Sequence, residues 1–513
     1  MYNGAMRRSW MVLLLGGLLL VACTRQWESE NGVWQPPPVQ GYHAGPTATP
    51  TPRVFVAPTR APNAPLATPT PNAPHPIPTL RAQAQQYVVQ RGDTLGSLAL
   101  RFNVSVDALV QANHLANPNV LEVGQTLVIP APKPAASAPM FKIVPDSELV
   151  ASPSNALFDV AGFVAAQGGF LSTYTEEVDG RTMTGAQMVA RVARDYSVNP
   201  RLLLALLEYQ SGWVTHQKVP AETEQYPFRW LDFRRKGLWR QLHWAANELN
   251  RGFYLWQANG VAAFTLADGV LVQANPQVNA GTAAVQHVFA LLDGLHDWQQ
   301  AVGPQGLAAT YQALFGYPFD YALEPLLPPD LQQPPMQLPF EPGVKWYFTG
   351  GPHGAWDDGA AWGALDFAPG DVPLGAGCAR SNDWVVAVAD GVIVRSEDGA
   401  VVQDLDGDGY EQTGWNVLYM HVASRDRVQA GTYLHAGERI GHPSCEGGFS
   451  TATHLHLARK YNGVWIAADG PIPFVLDGWV SEGTGKAYDG YLRRGNQVKE
   501  ACECQEPKNT LVR

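Results

Sequence analysis

The chain has 513 residues and a formal net charge of -11, so no overall basic field exists to neutralise phosphates, and nucleic acid is excluded as an expected partner. Hydrophobic residues make up 46% of the sequence, enough for packed cores and against wholesale disorder. Charged residues are only 16%, beside 50 glycines, 41 prolines and 16 tryptophans, a balance that suits secreted proteins handling carbohydrate or peptide polymers.

Arg7 and Arg8 precede an apolar run from Met11 to Ala22, which is shorter than a membrane span and reads as a signal peptide over residues 1–22. The run ends in Leu20-Val21-Ala22-Cys23, which resembles the bacterial lipoprotein signal. That resemblance implies lipidation of Cys23, a lipid anchor in a membrane, and a mature chain on its outer side in the cell envelope, facing the cell wall. Residues 23–86 are then the lipidated N-terminus and a linker. Between Pro36 and Leu80 it is rich in Pro, Thr and Ala and should be an extended tether.

Residues 87–130 read as a small βααβ unit. A strand over Tyr87 to Gln90 meets Gly92-Asp93-Thr94, where Asp93 or Thr94 can cap a helix carrying Leu95, Leu98 and Phe102. Val106, Leu109 and Val110 mark a second helix, and Thr126 to Ile129 a closing strand. The Gly-Asp-Thr-Leu, Asn and Gly-Gln-x-Leu-x-Ile-Pro landmarks closely resemble a LysM module. The resemblance implies binding of N-acetylglucosamine-containing glycans such as peptidoglycan, with a groove around Gly92, Asp93, Thr94 and Leu95 and around Asn117, Pro118 and Val120.

A Pro/Ala linker over 131–146 leads into a mostly helical domain over 147–327. Thr184 starts one helix there. Asn199 caps another, with Pro200 first and leucines on most sides, which should be central. Its end, Glu208-Tyr209-Gln210-Ser211-Gly212-Trp213, resembles the lysozyme-like pattern in which a catalytic Glu precedes Ser-Gly. Gln210 occupies that position and cannot act as a general acid. The domain is therefore expected to be a degenerate lysozyme-like fold that binds or positions glycan, and glycan cleavage would have to depend on Glu208.

A Pro-rich linker over 328–342 precedes an all-β, antiparallel-sheet domain over 343–495 and a tail over 496–513. Candidate strands are Ala364 to Ala368, Trp384 to Val388, Gly391 to Arg395, Val401 to Gln403, Trp415 to Val422 and His454 to Ala458. Strands send alternate side chains to opposite faces, so His454 and His456 share one face roughly 6.6 Å apart, while Leu455 and Leu457 face a core. Asp366 and His421 likewise sit between apolar neighbours, and His353 lies in Gly350-Gly351-Pro352-His353. These residues resemble the lysostaphin-like zinc endopeptidases. Much of that family takes His-x-x-x-Asp for its first two ligands, but Trp362 stands four residues before Asp366. The β-lytic branch takes its first His from a Gly-Gly-x-His stretch, as at His353. The resemblance implies zinc on His353, Asp366 and His456, and catalytic roles for His421 and His454. Two imidazoles and a carboxylate leave a tetrahedral position for water, the pattern of a catalytic site. Which of the two histidines takes the proton stays open. The implied function is a zinc-dependent endopeptidase acting on peptidoglycan, its partner through the glycan strand and the stem or bridge peptide. The alternative is a cell-wall-binding protein that has lost its metal and regulates another hydrolase.

Asp404, Asp406 and Asp408 have the spacing of half a calcium loop, and a tight acidic hairpin explains them equally well; Trp415 stands where the bidentate acid belongs. Of the five cysteines, Cys378 and Cys445 are the preferred disulfide, because both flank the candidate strands. Cys502 and Cys504 would close a very tight loop and are expected to be able to stay reduced. The remaining histidines read as structural or exposed, with His442 left open as a cleft residue.

Overall fold

The computed structural model describes residues 69, 73–115, 117 and 120–513. Cys23, the signal segment, most of the tether and Pro118 lie outside the described residues. No helix among the described residues is long and apolar enough to cross a membrane.

The first unit is β1 (Gln85–Val88), α1 (Leu95–Phe102), α2 (Val106–Asn113) and β2 (Thr126–Ile129). The strands pair antiparallel with Tyr87 opposite Leu127. Val89, Leu95, Leu98, Leu109, Leu127 and Ile129 close a core of the unit's own. Thr94 takes the capping role, its Oγ1 accepting from Ser97 N at 3.0 Å. The Asp93 carboxylate instead closes the preceding turn, accepting from Gln90 N at 2.7 Å and Tyr87 OH at 2.8 Å. Ser105 caps α2 by accepting from Ala108 N.

The helical region holds β3 (Ala136–Ser137), α3 (Val160–Gln167), β4 (Thr175–Val178), β5 (Arg181–Thr184), α4 (Gly185–Tyr196), α5 (Pro200–Ser211), α6 (Ala221–Gln225), α7 (Leu238–Gln257), β6 (Ala263–Thr265), β7 (Leu271–Gln273), α8 (Ala280–Leu292), α9 (Leu295–Ala301) and α10 (Leu307–Phe315). Thr184 and Gln187 form a reciprocal capping box on α4, and Asn199 with Pro200 opens α5. α5 is buried nearly all round, as its leucines require. Its buried Arg201 pairs with buried Glu148 at 2.7 Å. α7 and α8 cross where Gly252 lies, since a Cβ there would stand 2.7 Å from the Ala284 Cα.

The C-terminal region builds one large antiparallel sheet from β8 (Lys345–His353), β9 (Ala364–Pro369), β11 (Gly391–Glu397), β12 (Ala400–Asp404), β13 (Trp415–Met420), β14 (Tyr433–Leu434), β16 (Leu455–Tyr461) and β22 (Thr510–Val512). Its order is β14-β11-β12-β13-β16-β9-β8-β22, with β17 (Val464–Trp465) beside β16. Two smaller assemblies flank it: β10 (Val385–Val386) pairs with β15 (Arg439–Gly441), and β18 (Val475–Leu476), β19 (Trp479–Gly483), β20 (Gly490–Arg494) and β21 (Gln497–Glu500) form a four-stranded sheet. Alternation gives the large sheet two faces. Leu365, Phe367, Val417, Tyr419, Leu455 and Leu457 enter one core. Ala364, Val402, Leu418, Met420 and Ala458 enter a second core, shared with the helices. A sheet covered on both faces reads as near-continuous apolar strands, as β13 does.

Charges are buried along this seam. Arg395 reaches Asp195 of α4 at 2.6 Å and Glu411 at 2.8 Å, and Lys460 reaches Glu411 at 3.0 Å. Burial would raise the Glu411 carboxyl, but Arg395 and Lys460 overcome it and hold the group down at about 2.

Three stretches that read as linker or tail belong to the folded body, because apolar anchors are spaced among their prolines and polar residues. In 131–146, Ala136 pairs parallel with Val272, and Ile143 and Val144 are buried. In 328–342, Met336, Leu338 and Phe340 join the sheet core. In 496–513, Leu511 is buried and β22 completes the sheet against β8. The end of the tether also docks: His75 stacks on Trp256 with ring centres 4.8 Å apart. Cys502 and Cys504, whose pairing the sequence left open, are bonded to each other, and Cys378 is bonded to Cys445.

Candidate metal centre

β8 ends irregularly, with register shifts between Phe348 and Gly350 and between Gly350 and His353. Glycine is needed at this bulge. A Cβ on Gly350 would stand 2.6 Å from Asp366 Oδ2, and one on Gly351 would stand 2.6 Å from the Asp489 carbonyl carbon. The bulge turns His353 onto the face that carries Asp366, and His456 is the direct cross-strand partner of Asp366. The three side chains meet. His353 Nε2 and His456 Nδ1 each stand 3.3 Å from Asp366 Oδ1, and 3.0 Å from one another.

The hydrogen bonds behind these rings fix their tautomers. A carbonyl can only accept, so His353 donates Nδ1–H to the Gly351 carbonyl at 2.8 Å, and His456 donates Nε2–H to that of Ala355 at 3.0 Å. In their neutral forms these rings turn bare lone pairs at each other and at Asp366 Oδ1, a buried oxygen with no hydrogen-bond partner. Donors about 2.0–2.1 Å from a tetrahedral zinc ion would stand about 3.3–3.4 Å apart, so the residues present fit that ion. Burial opposes the charge on Asp366, but His353 and His454 hold its carboxyl well below the usual range. Burial would lower His353, yet the Asp366 carboxylate raises it; for His456 burial prevails and lowers it.

Two further imidazoles stand beside this group, each pinned by a carbonyl. His454 donates Nδ1–H to the Ala452 carbonyl at 2.8 Å and brings Nε2 to 3.7 Å from Asp366 Oδ1. His421, just past β13, donates Nδ1–H to the Glu446 carbonyl at 3.0 Å, and its ring centre lies 4.5 Å from that of His454. Burial, then His454 and His456, push the His421 imidazole down to about 3, so it is neutral with its Nε2 unprotonated. His421 has φ +65°, a left-handed conformation that side-chain-bearing residues seldom take.

Tyr488 escaped the sequence reading. It stacks on His353 with ring centres 4.2 Å apart and planes at 20°, and its backbone pairs with Gly351 and Pro352. It is a lone tyrosine in an irregular turn, and no spacing points to it. Trp362 takes no part in the group and gives its carbonyl to Ala468 N. His442 is buried against Trp384 and donates to the Asp383 carbonyl, so it is not one of the clustered rings.

Other expected sites differ in kind. Leu95 is a core residue of the first unit, so its side chain does not line a glycan groove, whereas Val120 is 58% exposed. Asn117 presents its carbonyl to Val120 N. Glu208 is occupied at its helix end, accepting from Val214 N at 2.9 Å, Thr215 N at 3.0 Å and the Thr215 hydroxyl. Asp404, Asp406 and Asp408 do approach one another. Asp404 accepts from the amides of Asp406, Gly407 and Gly409, and Asp408 from Tyr410 N and the Thr413 hydroxyl. These are the bonds of a hairpin turn, and nothing in it speaks for calcium.

A sheet-borne carboxylate facing imidazoles of fixed tautomer defines a candidate metallopeptidase, and comparison with known families agrees. The chain carries a LysM domain at residues 87–130, a LasA N-terminal domain at 142–329 and a Peptidase family M23 domain at 377–468. Protease LasA of Pseudomonas aeruginosa (strain UCBPP-PA14) is 29% identical over 297 residues, 54% of this chain and 66% of that protein. The chain thus spans just under two thirds of that relative's length. The Beta-lytic metalloendopeptidase of Lysobacter enzymogenes is 25% identical over 155 residues, 30% of this chain and 83% of that protein. A solved structure of the M23 metalloprotease pseudoalterin is 23% identical, covering 36% of this chain and 99% of its own, with a TM-score of 0.28. His353 and Asp366 precede the matched M23 segment, so their place rests on the geometry above.

Proposed function

We propose that this protein is a zinc-dependent endopeptidase that hydrolyses peptide bonds in peptidoglycan. One observation carries the reading: four histidines each give one ring hydrogen to a main-chain carbonyl, at Gly351, Ala355, Glu446 and Ala452, and so leave their other nitrogens as acceptors around Asp366. With the rings neutral, such a set has no proton to share, and a bound cation meets its lone pairs.

In this reading His353 Nε2, Asp366 Oδ1 and His456 Nδ1 hold the ion. Zinc, when bound, supplies a Lewis acid that polarises the scissile carbonyl and acidifies a water. Asp366 contributes the one full negative charge and stays ionised. His421, with Nδ1 committed to Glu446, turns a free Nε2 to the cluster and is the candidate that takes a proton there. His454 turns a free Nε2 towards the same Asp366 oxygen and, when protonated there, would donate to negative charge developing on the scissile carbonyl. Tyr488 keeps the His353 ring flat against its own and shields it from water.

The LysM domain supports delivery to the glycan strand, and Cys23 supports a lipid tether on the wall-facing side of a membrane. Metal analysis of the purified full chain tests the reading. We expect about one zinc per chain, loss of it in His353→Ala, and new peptide termini in muropeptides analysed by mass spectrometry. A zinc-free native protein that leaves every cross-link intact would overturn it.

A further inference from the structure

We propose that the Cys378–Cys445 disulfide positions His421 and His454 for their work, an inference that rests on the hydrolase reading. The bond joins two irregular strips of chain separated by 67 residues. One strip, 444–446, holds His421 from both sides. Ser444 donates N–H and its hydroxyl to the His421 carbonyl at 2.7 and 2.9 Å, and the Glu446 carbonyl takes the ring hydrogen at 3.0 Å. The Ser444 carbonyl also accepts His454 N at 3.3 Å. Ser450 bridges the two systems, its hydroxyl 3.5 Å from the Cys445 sulfur and 3.3 Å from His454 Nδ1.

The other strip holds His454 from behind. The Gly377 carbonyl accepts Thr453 N at 3.0 Å, and Thr453 gives its hydroxyl to the Ala379 carbonyl. Cys378 lies between these two acceptors, as Cys445 lies between Ser444 and Glu446. Neither strip belongs to a strand; Ser444 forms only an isolated bridge with His454. The loop that follows residue 446 and leads to Thr453 exposes Phe449 to 90%. Few buried contacts hold such segments, so a covalent tie is what limits their excursions. The three metal-facing residues are fixed differently, by β8, β9, β16 and the carbonyls of Gly351 and Ala355. Opening the disulfide should therefore free the two histidines and leave the other three in place.

The test compares the full chain with Cys378→Ala/Cys445→Ala, and with Cys502→Ala/Cys504→Ala as the control pair. Initial rates on purified peptidoglycan, zinc content and the long-range ¹H–¹⁵N spectrum of the histidine rings are read for each. We expect kcat to fall roughly a hundredfold in the first variant, the scale set by an ångström of misplacement, with KM within about twofold and zinc unchanged. The His421 ring should lose its single tautomer and average between two. The control pair should match the wild type. Unchanged kcat with a fixed His421 tautomer would overturn the proposal, as would equal losses in both pairs. If the first variant does not fold, reversible reduction of the Cys502→Ala/Cys504→Ala protein opens the same bond and is read the same way. A wild-type chain that binds zinc but cuts nothing would defeat the hydrolase reading, and the ring spectrum alone would then decide whether the disulfide fixes His421.

Discussion

The LysM unit and the body that follows it are built on opposite plans. The first closes around a small core of its own, with Leu109 and Leu127 at its centre. The helical region and the large sheet share one core, in which Leu203 of α5 and Leu418 of β13 are members of the same cluster. A buried ion network spans that seam. A unit with a private core is a module that can be moved or lost. Two regions with a common core are one cooperative structure, and helices in this position act as the second cover of the sheet.

The largest way to break that contrast is Arg395→Met. It leaves Asp195 and Glu411 buried without their guanidinium partner, which costs about 3–5 kcal/mol. Calorimetry of the full chain should show the helical and sheet regions falling together to a lower temperature, with the LysM transition unmoved. Acid should act next, and on the same seam. Glu411 titrates at about 2 in the fold against an ordinary 4.5, so its contribution is full above 4.5 and is lost as pH falls toward 2. The loss is about 3 kcal/mol, measured by denaturant unfolding across that window. Asp404, raised to about 9 mainly by burial, has the opposite sign and acts between 3.8 and about 9, meeting that window only at its upper edge. Leu109→Ala sharpens the contrast from the other side. Deleting a fully buried leucine costs at least about 2 kcal/mol, enough to unfold a small module while the body keeps its own transition.

Much of this was legible because strands have a period of two. Asp366 and His456 sit between apolar neighbours, and that alternation alone puts both on one face. The glycines before His353 marked it through the resemblance to a Gly-Gly-x-His stretch, and the structure uses them in a bulge that lets Asp366 approach the backbone. The helix starts at Thr184 and Asn199 were equally plain, since capping chemistry is local. The rest depends on contacts between residues far apart in the chain. β13 is apolar on both faces, but nothing in it says that helices supply the second cover. Tyr488, Ser444 and Glu446 touch the clustered histidines through turns without periodicity. Prolines at 334, 335 and 339 suggested a spacer, while Met336, Leu338 and Phe340 among them anchor the segment in the core.

The shared core also limits the way in. Asp366 and His456 occupy the sheet face that the helices cover, and from Met420 and Ala458 onward that face is closed. Under the proposed function, a substrate running along the strands would meet that closed face before the carboxylate. The side left open carries exposed Phe449 and Tyr488, the latter stacked on His353.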